Sequence, residues 1–288
     1  MLVASGTFGY GQECQELVDL NALGGIVTKS ITLKPRPGNP PDRIVELPAG
    51  MLNSIGLANV GVEAFVRDKL PFLRTLETRI VVNVAGGTAE EFLAVVTRLE
   101  DEDGIDAYEL NYSCPNVKQG GLEFSQDARV TARVTAQIRK RTSRPLITKL
   151  TPNVTRVGEI AQAAAESGAD AVSLINTLVG MAIDVEAQRP KLATITGGYS
   201  GPAIKPVALA KVFEVAKNVR VPIIGIGGIA GGRDAIEFLL AGACAVQVGT
   251  ANFIDPATGV RIVDEIRSYL ERRGCKSVTE LVGALRTK

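Results

Sequence analysis

The stretch GADAVSLIN, residues 168–176, decides the fold: a glycine closes a helix, small residues follow, and a short apolar strand ends on an asparagine. The same order occurs in GIDAYELN from Gly104 and GACAVQVGT from Gly242. The separations are 64 and 74 residues (168 minus 104, and 242 minus 168). Each is about two strand-plus-helix units, so the three segments read as alternate members of a βα series. Apolar strand candidates fill the series at 2–5, 26–29, 80–84, 107–111, 146–150, 171–175, 222–226 and 244–249. Stretches at 89–100, 128–141, 157–167 and 232–241 repeat apolar positions at three and four, the helical period. Eight parallel strands mostly alternating with helices predict an α/β protein, a single (β/α)8 barrel domain over residues 1–288. The alternative, a doubly wound open sheet, would use about six strands.

Two connections exceed a simple crossover. Residues 30–62, after strand 2, and 176–221, after strand 6, are rich in Pro and Gly. Both follow strand ends and are expected on the active-site face as a lid, binding wall or docking surface.

Lysine plus arginine number 32 against 31 acids, a formal charge of +1, which gives no reason to expect nucleic acid or a membrane surface as partner. The amino terminus lacks the pattern of a signal peptide, and no run approaches the ~20 apolar residues needed to cross a bilayer. Cys14, Cys114, Cys244 and Cys275 are scattered, with no CxxC and no histidine in the chain. That set predicts no metal site, no iron-sulfur cluster held by this chain alone, and reduced thiols in a cytoplasmic protein. Cys244, inside the last predicted strand, reads as a small buried hydrophobe.

Strand carboxyl ends carry Ser5, Lys29, Asn83, Asn111 with Cys114, Lys149, Asn176 with Thr177, Gly227 with Gly228, and Gly249 with Thr250. In a barrel these ends share one mouth, so a polar set there predicts a pocket. The stretch IIGIGGIAGGRDAIEF (223–238) runs strand, glycine-rich turn, helix, which suits a phosphate at the turn and helix amino terminus. Gly225, Gly227 and Ala230 also match the dinucleotide pattern G-x-G-x-x-A, but the acidic residue expected after the next strand is absent. Lys29 and Lys149 lie in apolar segments; each reads either as a cation facing an anionic ligand or as a side chain snorkelling to solvent. Cys114 sits in a polar loop, and Pro115, Gly120 and Gly121 favour a mobile segment. With no histidine available, its thiol is the best candidate for proton transfer.

The motifs ASGTFGYG (4–11), TLKPRPGNPPDR (32–43), NSIGL (53–57), NVAG (83–86), ELNYSCPNVKQGG (109–121), TKLTPNVT (148–155), INTLVGM (175–181), TGGYSGPAIKPVAL (196–209), IIGIGGI (223–229) and AVQVGTANF (245–253) occur in this order. Nearly the whole chain resembles the FMN-containing catalytic subunits of class 1B dihydroorotate dehydrogenases. The resemblance implies oxidation of (S)-dihydroorotate to orotate in pyrimidine synthesis, with Cys114 removing the C5 proton and a hydride leaving C6 for flavin N5. It implies that Lys29, Asn53, Ser54, Ile55, Gly56, Leu57, Asn111, Asn116, Asn176 and Thr177 surround the substrate. FMN is expected at Ser5, Lys29, Ser30, Asn83, Asn111, Lys149, Ile175, Gly201, Gly227, Gly228, Gly249 and Thr250. Electrons are expected to pass to NAD through a partner subunit carrying FAD and a two-iron two-sulfur cluster, in a heterotetramer around a catalytic homodimer. Members of that family usually begin with a further short segment, whereas this chain starts almost at its first predicted strand; a late-called start or a true truncation would account for that. Three other readings compete: a class 1A, fumarate-using homodimer; a dihydropyrimidine dehydrogenase-like subunit; and a non-catalytic barrel binding a phosphate ligand.

Overall fold

The computed structural model describes residues 1–112 and 124–287. The chain opens with β1 (Leu2–Val3) and β2 (Gly25–Val27), then forms a hairpin from β3 (Ile44–Leu47) and β4 (Gly50–Asn53). It continues through α1 (Val62–Asp68), α2 (Leu70–Leu73), β5 (Ile80–Val84), α3 (Ala89–Glu100), β6 (Ala107–Asn111), α4 (Ala128–Arg139), β7 (Leu146–Lys149), α5 (Val157–Glu166) and β8 (Ala171–Leu174). Four short strands follow, β9 (Leu178–Met181), β10 (Ile183–Asp184), β11 (Arg189–Pro190) and β12 (Thr196–Ser200). The order ends with α6 (Lys205–Ala216), β13 (Ile223–Ile226), α7 (Gly232–Leu240), β14 (Ala245–Val248) and α8 (Thr258–Arg273).

Strands β1, β2, β5, β6, β7, β8, β13 and β14 pair in parallel into a closed barrel. Closure is made by β1, which pairs with β2 on one side and β14 on the other. The predicted barrel is therefore the fold and the open sheet is not; the dinucleotide reading of 225–230 loses its context with it.

Alternation along the strands explains the interior. Side chains of a strand point to opposite faces with period two. Leu2, Val27, Val81, Ala107, Ile147, Ala171, Ile224 and Ala245, one from each barrel strand, pack into an apolar plug inside the barrel. Their outward neighbours, among them Ile26, Val82, Tyr108, Val172 and Val246, belong to the larger apolar clusters shared with the helices. Two helices start on side-chain caps: Thr88 Oγ1 accepts from the Glu91 N–H at 3.2 Å at the start of α3, and Asp127 accepts from the Arg129 and Val130 N–H groups at the start of α4. α8 ends on Gly274 in the left-handed region at φ 65°, a conformation glycine adopts without the steric cost of a Cβ.

The two long connections are more ordered than their composition suggested. β3, β4, β12 and β9 form a four-stranded antiparallel sheet in which Asn53 pairs with Gly198, so the two connections build one wall together. Cys244 corrects an expectation: it lies one residue before β14 and is exposed, not buried. Ala245 points into the plug, so Cys244 faces outward at the amino-terminal edge of the strand, where its thiol donates to Ile223 O at 3.3 Å.

Candidate active site

Two residues beyond the plug, the inner face of the barrel turns polar. Asn83, Glu109, Lys149, Ser173 and Gln247 occupy that position on β5, β6, β7, β8 and β14, and each is almost wholly buried. Glu109 is their hub. Its Oε1 accepts from Asn83 Nδ2 at 2.7 Å and lies 3.5 Å from Lys149 Nζ; its Oε2 accepts from Gln247 Nε2 at 2.8 Å and Ser173 Oγ at 2.9 Å. Each partner offers a hydrogen, which an ionised carboxylate can accept and a protonated one cannot accept as fully. A charge taken out of water needs such a set of partners to persist.

Lys149 is inside the barrel, 4 % exposed, and donates to Ser5 Oγ at 3.2 Å. The snorkelling alternative thus fails for this residue. Above the polar ring opens a cleft of about 450 Å³, within the usual size of small-molecule sites. Lys149, Ser5, Lys29, Ser30, Asn111, Ile175, Asn176, Thr177, Gly201, Gly227, Gly228, Gly249 and Thr250 all line it, as do Asn53, Ser54, Ile55, Gly56 and Leu57. Asn83 does not; it is fully buried behind the wall, where its Oδ1 accepts from Ser30 Oγ at 2.6 Å. Asn111 Nδ2 donates to the same Ser30 Oγ at 3.3 Å, which ties the ends of β2, β5 and β6 together.

One end of the cleft is built from backbone donors. Among the described residues, the N–H groups of Gly228, Ile229, Gly249 and Thr250 have no acceptor. At φ 74° Gly228 holds a conformation suited to glycine, and a Cβ there would meet Lys205 Cβ and N at 2.8 Å. Such a pair of turns after adjacent strands suits a phosphate. The α7 amino terminus, expected to share that role, is already occupied: Asp234 Oδ2 accepts from the Ala230 and Gly231 N–H groups, and Glu265 accepts from Gly232. Lys205 pairs with two acids of α7, with Nζ 2.6 Å from Asp234 and 2.9 Å from Glu237. The backbone donors without acceptors therefore lie at the two turns and not at the helix end. The unpartnered donors and the Lys149 cation fit an FMN with its phosphate at the turns.

The cleft also carries cations. Lys29 and Arg43 both line the cleft. Burial first, and the Arg43 charge second, hold the Lys29 ammonium below the ordinary lysine range, with Glu13 opposing. Sequence reading missed Arg43, which lies in the 30–62 connection directly before β3, a strand the pattern did not predict. It also missed Glu109, for which the signal was a lone acid inside the apolar strand AYELN. Asn53 Nδ2 donates to Gly198 O at 3.3 Å, joining the NSIGL segment to β12.

Cys114, Asn116 and the loop expected around them lie outside the described residues. The two residues that bracket the segment are anchored. Tyr112 and Phe124 meet Phe92 edge-on with ring centroids 5.4 and 5.6 Å from it, and the Tyr112 hydroxyl lies 3.3 Å from Thr135 Oγ1. Among the described residues no cluster of His, Cys, Asp and Glu could hold a metal ion, and no helix is long and apolar enough to cross a membrane.

The family model for dihydroorotate dehydrogenase matches residues 1–270. The dihydroorotate dehydrogenase B (NAD(+)) catalytic subunit of Geobacter sp. (strain M21) is 54% identical over 285 residues, covering 99% of this chain and 93% of that protein. The subunit of the same name from Bacteroides thetaiotaomicron is 53% identical over 285 residues, covering 99% of this chain and 94% of that protein. Among solved structures, that of DHODH from Eimeria tenella in complex with ferulenol superposes with a TM-score of 0.82 over 98% of this chain and 84% of that one. Its 24% identity speaks for the barrel alone. With a family match over most of its length and relatives above half identity, this chain belongs to the dihydroorotate dehydrogenase family.

Proposed function

We propose that this chain, as one FMN-binding barrel domain over residues 1–288, is the catalytic subunit of a cytoplasmic, NAD-linked dihydroorotate dehydrogenase. It oxidises (S)-dihydroorotate to orotate in de novo pyrimidine synthesis. The observation that carries the reading is a single cleft with unpartnered backbone donors at Gly228 and Thr250, a cationic pair at Lys29 and Arg43, and Lys149 on its floor.

When bound, FMN supplies the acceptor for the hydride that leaves C6 of the substrate. Ser5, Ser30, Lys149, Ile175, Gly201 and the two glycine turns would hold it, with Asn83 supporting Ser30 from behind. Lys29, assisted by Arg43, would bind the substrate carboxylate; Asn53, Asn111, Asn116, Asn176 and Thr177 offer the amide and hydroxyl groups that a pyrimidine's alternating N–H and C=O edge requires, and Ser54 to Leu57 close its wall. Cys114, as thiolate, takes the C5 proton, so that C5=C6 forms as proton and hydride depart.

Electrons would then leave through a partner subunit bearing FAD and a two-iron two-sulfur cluster, around a homodimer of this chain. Exposed Phe253 and Ile254, directly beyond Gly249 and Thr250, give an apolar surface beside the cleft for it. The test is purification with FMN, alone and with the candidate partner. The reading predicts a yellow protein that couples dihydroorotate to NAD only with the partner. Full activity with fumarate and indifference to NAD would indicate the class 1A reaction; activity with dihydrouracil alone would indicate a dihydropyrimidine enzyme; no FMN uptake would indicate a phosphate-ligand barrel.

A further inference from the structure

We propose that Glu109 is a positioning residue that holds down the reduction potential of bound FMN by neutralising Lys149 from inside the barrel. The inference rests on the cleft being the FMN site. Glu109 is absent from the cleft lining and fully buried, so it can act on a ligand only through its neighbours. Of those, Lys149 alone is charged and also lines the cleft. Their 3.5 Å separation is long for a charge-assisted hydrogen bond, for which about 2.7–2.9 Å is usual. The ammonium is thus divided between the carboxylate below and Ser5 Oγ, at 3.2 Å, at the cleft.

Oxidation of dihydroorotate releases one proton and one hydride, and the hydride brings an electron pair to the flavin. Lys149 favours that added negative charge to the extent that its own charge is uncompensated. A carboxylate fixed beside it in a low-dielectric interior offsets the charge strongly. With Glu109 ionised the floor of the site is electroneutral, and the flavin gives up its electrons readily, as onward transfer to NAD requires. With the carboxylate removed, the isolated cation stabilises reduced flavin and the potential rises.

Glu109→Gln tests this with little change of shape. Among the described residues Gln247 Oε1 has no partner, so a rotation of that amide lets it accept from the new side-chain N–H. The variant is expected to bind FMN and to show a midpoint potential raised by at least about tenfold in the reduction equilibrium, about 30 mV for a two-electron couple. The double variant Glu109→Gln with Gln247→Glu keeps the paired side chains and the net charge but moves the carboxylate from β6 to β14, off the side chain that meets Lys149. Its potential should fall between wild type and the single variant, and it serves as well if the single variant does not fold. A wild-type potential in whichever of these variants binds FMN would overturn the proposal. So would loss of FMN from both at an unchanged melting temperature, which would assign Glu109 to binding geometry. Failure of the wild-type chain to bind FMN would instead remove the functional reading on which the proposal stands.

Discussion

Lys29 couples the site to pH. Its ammonium is held below the ordinary lysine range by burial and by Arg43, so as pH rises the positive charge is lost earlier than in a free lysine. A bound carboxylate stabilises the charged form, so KM for dihydroorotate should climb on the alkaline side. Arg43→Gln removes a repelling charge, and the climb should move to higher pH in a KM–pH profile. Lys29→Met removes a charge-assisted contact and should raise KM about 10- to 100-fold. Cys114→Ala should leave FMN bound and lower turnover about 10²- to 10⁴-fold, the usual worth of a general base; near-wild-type turnover would dismiss the thiol. The residues ending strands were legible because a polar group closing an apolar run has few structural uses. Arg43 and Glu109 were not: one directly precedes β3, in a long connection whose strands the pattern did not predict, and the other is an inward residue of a strand whose burial only barrel closure reveals.

At the scale of elements, the turn after β13 carries the phosphate claim. Gly228→Ala places a Cβ 2.8 Å from Lys205 Cβ and N, backbone included, so the turn must shift. FMN affinity should fall about tenfold or more while the barrel stays folded, as fluorescence titration of FMN can measure. Sequence pattern suggested that the α7 amino terminus would join in, but the Asp234 and Glu265 carboxylates fill it; a cap of that kind depends on which side chain folds back, which spacing alone does not tell. α3 has a separate task. Phe92 is fully buried and its ring meets Tyr112 and Phe124, the residues bracketing 113–123. Phe92→Ala should cost about 3–5 kcal/mol in chemical denaturation, the typical loss for a core aromatic.

For the whole molecule, the barrel was legible because eight apolar runs mostly alternating with helical stretches leave few other closed arrangements, and the plug of one residue per strand follows from the period of two. The antiparallel sheet of β3, β4, β12 and β9 was not legible, since its strands are short, glycine-rich and joined across nearly 150 residues of sequence. That sheet and the strand ends enclose the cleft, and the account stands on what the cleft does. Anaerobic titration of the FMN-loaded chain with dihydroorotate, followed by its visible spectrum, tests this most directly. The account predicts bleaching of the flavin with formation of an equal amount of orotate, and no bleaching in Cys114→Ala on the same timescale; a flavin that stays oxidised in the wild-type chain would contradict it.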